Sequence, residues 1–279
     1  MGASGRDAPL TALGRRGFLA LAAGGLAAVA AVVRGRAQTA DPALAAQALM
    51  AAYPEDVVEA NGSEIVFASG RRMTLDDGRD KTHEERLEQT DLQDMFHDPY
   101  PWGGPILPPA RNFDPGRYRA DAFFREIYGA TREAVSSQLV TVQWLAGTRP
   151  TPLPVHRKYG IPERLARVSA TLESLGPDLI PYLVEPAGTF NWRPVAGTDR
   201  LSAHSFGISI DINTGFSDYW RWAGGGPDPG EYRNRIPLEI VLAFEAEDFI
   251  WGGRWYHYDT MHFEYRPELR HYQRLVGGG

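Results

Sequence analysis

The sequence predicts an α+β fold, a single domain in which a small antiparallel sheet is packed by helices, and three observations predict it. Helical stretches, two of them opened by proline, are grouped ahead of most of the strand-like segments. Those segments alternate apolar and polar residues with period two, as half-buried antiparallel strands do. Neither alternating βαβ units nor an internal repeat is present. At 279 residues, 43% hydrophobic and 23% charged, the chain is long and apolar enough for a sizeable core, which excludes a disordered protein.

The first 40 residues differ from the rest. Arg15-Arg16-Gly17-Phe18-Leu19 leads an Ala-rich run to Val33, followed by Arg34-Gly35-Arg36-Ala37. That is the order of an export signal: a charged region, an apolar region and a small-x-small cleavage site. The paired arginines before Phe-Leu resemble a twin-arginine signal. Residues 1–37 are therefore expected to be cleaved near Ala37, because the apolar run is shorter than the roughly 20 residues a span needs. The mature chain is expected to be periplasmic or extracellular, with no membrane span. It would carry 24 basic and 34 acidic groups, a formal charge of −10, which argues against nucleic acid as a partner.

Residues 38–118 are expected to form an N-terminal hairpin and a proline-rich arm. Residues 41–53, Ala-rich, predict a short helix or a frayed leader. Glu64 to Ala68, the turn pair Ser69-Gly70 and Arg71 to Leu75 predict a β-hairpin. Between His97 and Arg117, six prolines and three glycines forbid a helix or an interior strand. Tyr100, Trp102 and Phe113 in that stretch favour an arm packed on a surface over a tether. Residues 119–279 are expected to hold the helices and the functional core. Helices are predicted over Arg119 to Tyr128, Thr131 to Leu145, Pro162 to Leu175 and Pro237 to Glu247. A strand is predicted within Phe206 to Ile212, where Ile208, Ile210 and Ile212 share a face.

The absence of cysteine excludes disulfides, thiolate metal sites and a cysteine nucleophile, so any metal must sit on His, Asp or Glu. Four of the seven histidines, His83, His97, His156 and His271, read as solvated or capping residues. His204 and Asp211 are seven apart and would face opposite ways in one straight strand. They can share a metal only if His204 is on a turn, which Gly207 permits. Otherwise Asp211 caps the Asn213-Thr214-Gly215 turn and His204 lies at the surface. Met261, Phe263 and Tyr265 alternate with His262 and Glu264, which sets the latter two on one polar face. Asp259 falls in the turn before that strand, where a carboxylate beside a metal can act as a base. Glu264 is placed to orient the His262 imidazole.

Ser202-Ala203-His204-Ser205-Phe206-Gly207-Ile208-Ser209-Ile210-Asp211 resembles the S-x-H-x-x-G-x-x-x-D motif of zinc peptidases that include VanY-like D-alanyl-D-alanine carboxypeptidases and L-alanyl-D-glutamate endopeptidases. Asp259-Thr260-Met261-His262-Phe263-Glu264 is similar to their D/E-x-x-H element. The resemblance implies zinc on His204, Asp211 and His262, a general base at Asp259, and a small sheet carrying the metal in a DD-peptidase or hedgehog-like fold. A family arginine that binds substrate and steadies the oxyanion falls best on Arg193. Ser209 stands where members usually have Ala, and Asp248 where Gly is expected.

Joined to the export signal, the resemblance implies a peptidoglycan stem peptide as substrate and hydrolysis by metal-activated water. Ser202 reads as a substrate contact or turn cap. Trp255, with Trp192, Trp220, Trp222 and Trp251, reads as lining for a groove or as core and rim packing. The alternative is a noncatalytic, zinc-stabilised domain that binds the cell wall or a partner. A serine hydrolase using Ser202 or Ser205 lacks the nucleophile-elbow context.

Overall fold

Asp41 sets the start of the first helix: its carboxylate accepts the Ala43 and Leu44 amides, and Pro42 occupies the first turn. In the computed structural model, which describes residues 40–195, 197–222, 226 and 228–278, this helix α1 (Pro42–Ala52) is no frayed leader. Ala45, Ala46, Ala48, Leu49 and Ala52 are buried, and the small Ala side chains let the C-terminal helix approach closely. The export signal expected over residues 1–37 lies outside the described residues. Among those described, no helix is long and apolar enough to cross a membrane.

The hairpin forms with one strand more than expected. Strands β1 (Val57–Ala60), β2 (Glu64–Phe67) and β3 (Arg72–Thr74) make an antiparallel meander. Helix α2 (His83–Glu88) follows, opened by a capping box in which Thr82 and Glu85 satisfy each other's backbone amides. The proline-rich stretch is a packed arm, as its aromatics suggest. Tyr100 and Trp102 are buried, and the Tyr100 hydroxyl donates to Glu245 at 2.8 Å. Arg254 donates to the Gly104 and Pro105 carbonyls and to Glu245.

Helices α3 (Asp121–Tyr128) and α4 (Arg132–Ser136) come next. The helix expected over Thr131 to Leu145 stops after its first turns. Val140, Thr141 and Val142 are β-branched and favour a pleated surface, so Leu139–Trp144 is strand β4, paired antiparallel with β5 (Thr151–His156). Pro152 and Pro154 are tolerated in β5 because a two-stranded ribbon leaves an edge that needs no amide donors. Helix α5 (Ile161–Ser174) packs on β4, and the short α6 (Ile180–Leu183) ends in the loop that leads to the third sheet.

That third sheet positions the site. It comprises β6 (Ser209–Asp211), β7 (Phe249–Trp251) and β8 (His262–Tyr265), in the order β6-β8-β7, all antiparallel. Helix α7 (Leu238–Glu245) lies against it, with Phe244 stacked on Phe263 at 3.9 Å between ring centres. Helix α8 (Pro267–Val276) returns to α1. The described fold is thus mixed helix with small antiparallel sheets, compatible with a single α+β domain. Asp248 takes φ 63°, the left-handed conformation that makes glycine the usual choice. Aspartate is among the residues that tolerate it, and its carboxylate is fixed by Arg164 and Arg270.

His156 is not solvated. It is fully buried and faces the Tyr128 carbonyl at 3.1 Å. Burial lowers its pKa to about 4 from an ordinary 6.5, and does the same to His97. Between those values the unfolded chain binds protons that the folded chain refuses. The contribution is therefore complete above pH 6.5 and is lost as pH falls toward 4, by at most about 3 kcal/mol for His156. Urea unfolding from pH 7 to 4.5 is expected to show this loss, with a shallower slope in His156→Gln.

Candidate metal centre

Strand pairing brings the first two ligand candidates together. Asp211 and His262 are directly opposite each other in the β6–β8 register, and cross-strand partners stand about 4.5–5.5 Å apart at Cβ. Asp211 Oδ1 lies 2.9 Å from His262 Nδ1. His204 arrives from a 3-10 turn, Ala203–Phe206, that Gly207 closes at φ 67°. This is the turn that the seven-residue spacing requires. A side chain at Gly207 would meet Leu139 Cδ2 at 2.7 Å and the His156 amide nitrogen at 3.1 Å. His204 Nε2 then lies 3.1 Å from Asp211 Oδ1 and 3.2 Å from His262 Nδ1.

Each imidazole is oriented by its other nitrogen. His204 Nδ1 faces the Thr189 carbonyl at 3.1 Å, and His262 Nε2 faces Glu264 Oε2 at 3.3 Å. Once His262 gives up its second proton, N–H groups on those outer atoms leave His204 Nε2 and His262 Nδ1 with lone pairs for a metal ion. Tetrahedral zinc with bonds of ~2.0–2.2 Å separates its ligand atoms by roughly 3.3–3.6 Å, close to the spacing here. The donor set therefore fits a divalent ion of the zinc class.

The electrostatics agree with that fit. Burial opposes charge on His262, but hydrogen bonds to Asp211 and Glu264 outweigh it and raise the imidazole to about 10. Asp211 is held well below the usual carboxylate range: burial works against this, and both histidines overcome it. Glu264 is lowered to about 2, because Arg119, His262 and Arg266 outweigh its desolvation. Two ionised carboxylates thus make a field that favours a cation between the histidines.

Asp259 occupies the turn before β8, where its amide donates to the Gly252 carbonyl and its carbonyl accepts the His262 amide. Gly252 allows this approach, since a Cβ there would meet the Asp259 carbonyl at 2.5 Å. The residue is partly exposed, but Oδ1 is enclosed and has no hydrogen-bond partner among the described residues. Burial and the Asp211 charge raise this carboxyl to about 7.

The remaining candidates lie around this centre. Trp255 is buried against the His262 ring at 5.6 Å, its indole N–H donating to the Pro115 carbonyl. Ser202 caps the His204 turn, with a 3.4 Å contact to the His204 amide. Arg193 is exposed, and its segment is stapled by Ser205, whose Oγ accepts the Arg193 amide and donates to its carbonyl. Trp251 is core, donating to the Thr260 carbonyl, whereas Trp222 is exposed.

Sequence reasoning missed the arginines. Arg119 pairs with Glu264 at 2.8 Å, and Arg266 lies 3.3 Å from its other oxygen and also pairs with Glu268. Arg117 bears on the Asp259 carboxylate. The available signal was Glu264 itself, since a buried acid in a strand demands a cation.

Residues 196–265 match a family model described as D-alanyl-D-alanine carboxypeptidase. The match spans about a quarter of the chain, takes in His204, Asp211, Asp259 and His262, and supports a peptidase that acts on cell-wall peptides. Arg193 lies just before it. No curated protein and no solved structure matches the chain.

Two substitutions probe this geometry. Gly207→Ala is expected to cost about 1–3 kcal/mol in urea unfolding, through its left-handed backbone and the Leu139 contact, and to weaken zinc binding. Glu264→Gln leaves Arg119 without its buried carboxylate partner and is expected to cost about 3–5 kcal/mol. It should also lower zinc affinity ~10–100-fold in competition with a chelating dye. Unchanged stability would mean that these ion pairs do not hold β8.

Proposed function

We propose that the chain is an exported, zinc-dependent peptidase that hydrolyses peptidoglycan stem peptides, at an L-Ala–D-Glu bond or a terminal D-Ala–D-Ala bond. The observation that carries this is the meeting of His204 Nε2, Asp211 Oδ1 and His262 Nδ1 within 3.2 Å, with Asp259, three residues before His262, presenting an enclosed Oδ1 that has no hydrogen-bond partner among the described residues. The family match over the same residues supports the peptidase chemistry. The export part rests on the signal-like residues 1–37.

His204, Asp211 and His262 would hold the ion, with Thr189 and Glu264 fixing the rings. When bound, zinc supplies Lewis acidity at the scissile carbonyl and makes water nucleophilic near neutral pH. Asp259 takes a proton from the attacking water as its oxygen bonds to the carbonyl carbon. It returns that proton to the amine as the C–N bond breaks. Arg193, on its stapled segment, would steady the oxyanion or a substrate carboxylate. Ser202 and Trp255 would shape the wall that meets the peptide.

Mass analysis of peptidoglycan fragments incubated with the zinc-loaded protein tests the reading. Loss of a terminal D-Ala, or cleavage between L-Ala and D-Glu, is expected, and chelation should abolish it. Asp259→Asn should keep its metal while turnover falls ~10²–10⁴-fold. A protein that binds zinc and leaves every fragment intact would overturn the peptidase assignment.

A further inference from the structure

Among the described residues, two other groups bring three His or acidic side chains together: Asp76, Asp77 and Asp91, and His83, Asp114 and His257. In the first, the Lys81 ammonium already sits on Asp77 at 2.9 Å and on Asp91 at 2.7 Å. That group is neutralised from within. In the second, three distant segments converge: the first residue of α2, the proline-rich arm, and the loop two residues before Asp259.

Asp114 is fully buried, and the His83 and His257 side chains are nearly so, at 8% and 11% exposure. Both histidines address the same oxygen. His257 Nδ1 lies 2.8 Å from Asp114 Oδ2, and His83 Nε2 lies 3.2 Å from it. The rings are nearly parallel, 17° apart with centres 5.6 Å from each other. Asp114 Oδ1 is occupied separately by the His257 amide at 3.0 Å.

His83 is the telling member. Its Nε2 is buried, and despite its nearness to Asp114 it makes no hydrogen bond among the described residues. Its Nδ1 lies 3.0 Å from the Tyr118 hydroxyl. With the Tyr118 oxygen accepting His83 Nδ1–H, Nε2 carries a lone pair. A buried lone pair with no donor, 3.2 Å from a carboxylate oxygen, is unfavourable unless a cation satisfies both.

We infer that His83, Asp114 and His257 form a second site for a divalent transition ion of the zinc class, at the junction of the arm with the loop that carries Asp259. Two imidazoles and one carboxylate are borderline donors suited to such an ion. Tyr118 behind His83 supplies the outer hydrogen bond that fixes a ligating ring. Arg117 Nη1 lies 3.4 Å from Asp114 Oδ2, so the carboxylate serves a fixed cation as well as the ion. The site ties together segments that share no regular backbone pairing, and it does not depend on the first centre.

Metal stoichiometry tests this. The full chain is stripped with chelator, loaded with Zn²⁺, freed of excess and analysed by elemental mass spectrometry. Two ions per chain are expected for the wild type, one for His83→Ala/His257→Ala and one for His204→Ala/His262→Ala. Asp114→Asn, nearly isosteric, provides a variant that keeps the packing and should also bind one. In the His204→Ala/His262→Ala chain, Co²⁺ should give the visible bands of a low-symmetry imidazole site, and these should vanish when His83 is also replaced. One ion in the wild type and none in His204→Ala/His262→Ala would overturn the second site, as would two ions regardless of His83 and His257. One ion in the wild type that survives His204→Ala/His262→Ala would instead uphold it and remove the first centre.

Discussion

The Glu264 carboxylate, closed off from solvent between a histidine and two arginines, is the constraint on which the rest of this structure depends. A bare ionised acid at that depth would be driven to take up a proton. Arg119 and Arg266 prevent this and hold it near pKa 2. The charge so kept orients His262, fixing which nitrogen faces Asp211. One buried ion network therefore sets both the orientation of the His262 ring and the path of the chain around it. Arg119 comes from the end of the arm, and Arg266 also contacts the Gly116 and Tyr118 carbonyls.

The sheet then needs little else to build the centre. Antiparallel register places Asp211 beside His262, and a single left-handed glycine turns His204 back onto the pair. None of the three donors has freedom to adjust: one is on β6, one on β8, and one on a 3-10 turn held by Thr189 and Ser202. Such preorganisation lets a metal site bind without ordering a loop first. Asp259 is placed by the same economy of backbone, its turn closed by hydrogen bonds to Gly252 and His262.

How much of this was legible follows from which forces act locally. The turn that brings His204 back to Asp211 is legible because strand alternation and the freedom of glycine are local properties. The same holds for the placement of Asp259 before β8, the face shared by His262 and Glu264, and the helices opened by Pro162 and Pro237. The stretch from Thr131 to Leu145 failed because its first turn is helical and its β-branched run is not; only pairing with a proline-bearing ribbon decides the boundary. His83 and His156 were read as solvated because their neighbours in sequence are charged, whereas their neighbours in space are Asp114 and Tyr128. The arginines around Glu264 were invisible for the same reason, since Arg119 is 145 residues away.

That separation bears on why the chain is longer than its matched segment. Residues 196–265 contain the three candidate ligands and Asp259, yet several of the groups that stabilise them lie outside those limits. Arg119 neutralises Glu264 from before the match, and Arg266 from just after it. Thr189 holds His204, Pro115 receives the Trp255 indole, and Glu245 is capped by Tyr100 and Gly103 of the arm. Each of these contacts satisfies a buried polar group that would otherwise oppose folding by about 1–3 kcal/mol, or more where the group is charged. The N-terminal half is therefore not an appendage to a self-sufficient matched segment. It provides the counter-charges and hydrogen-bond partners without which the polar centre could not be buried.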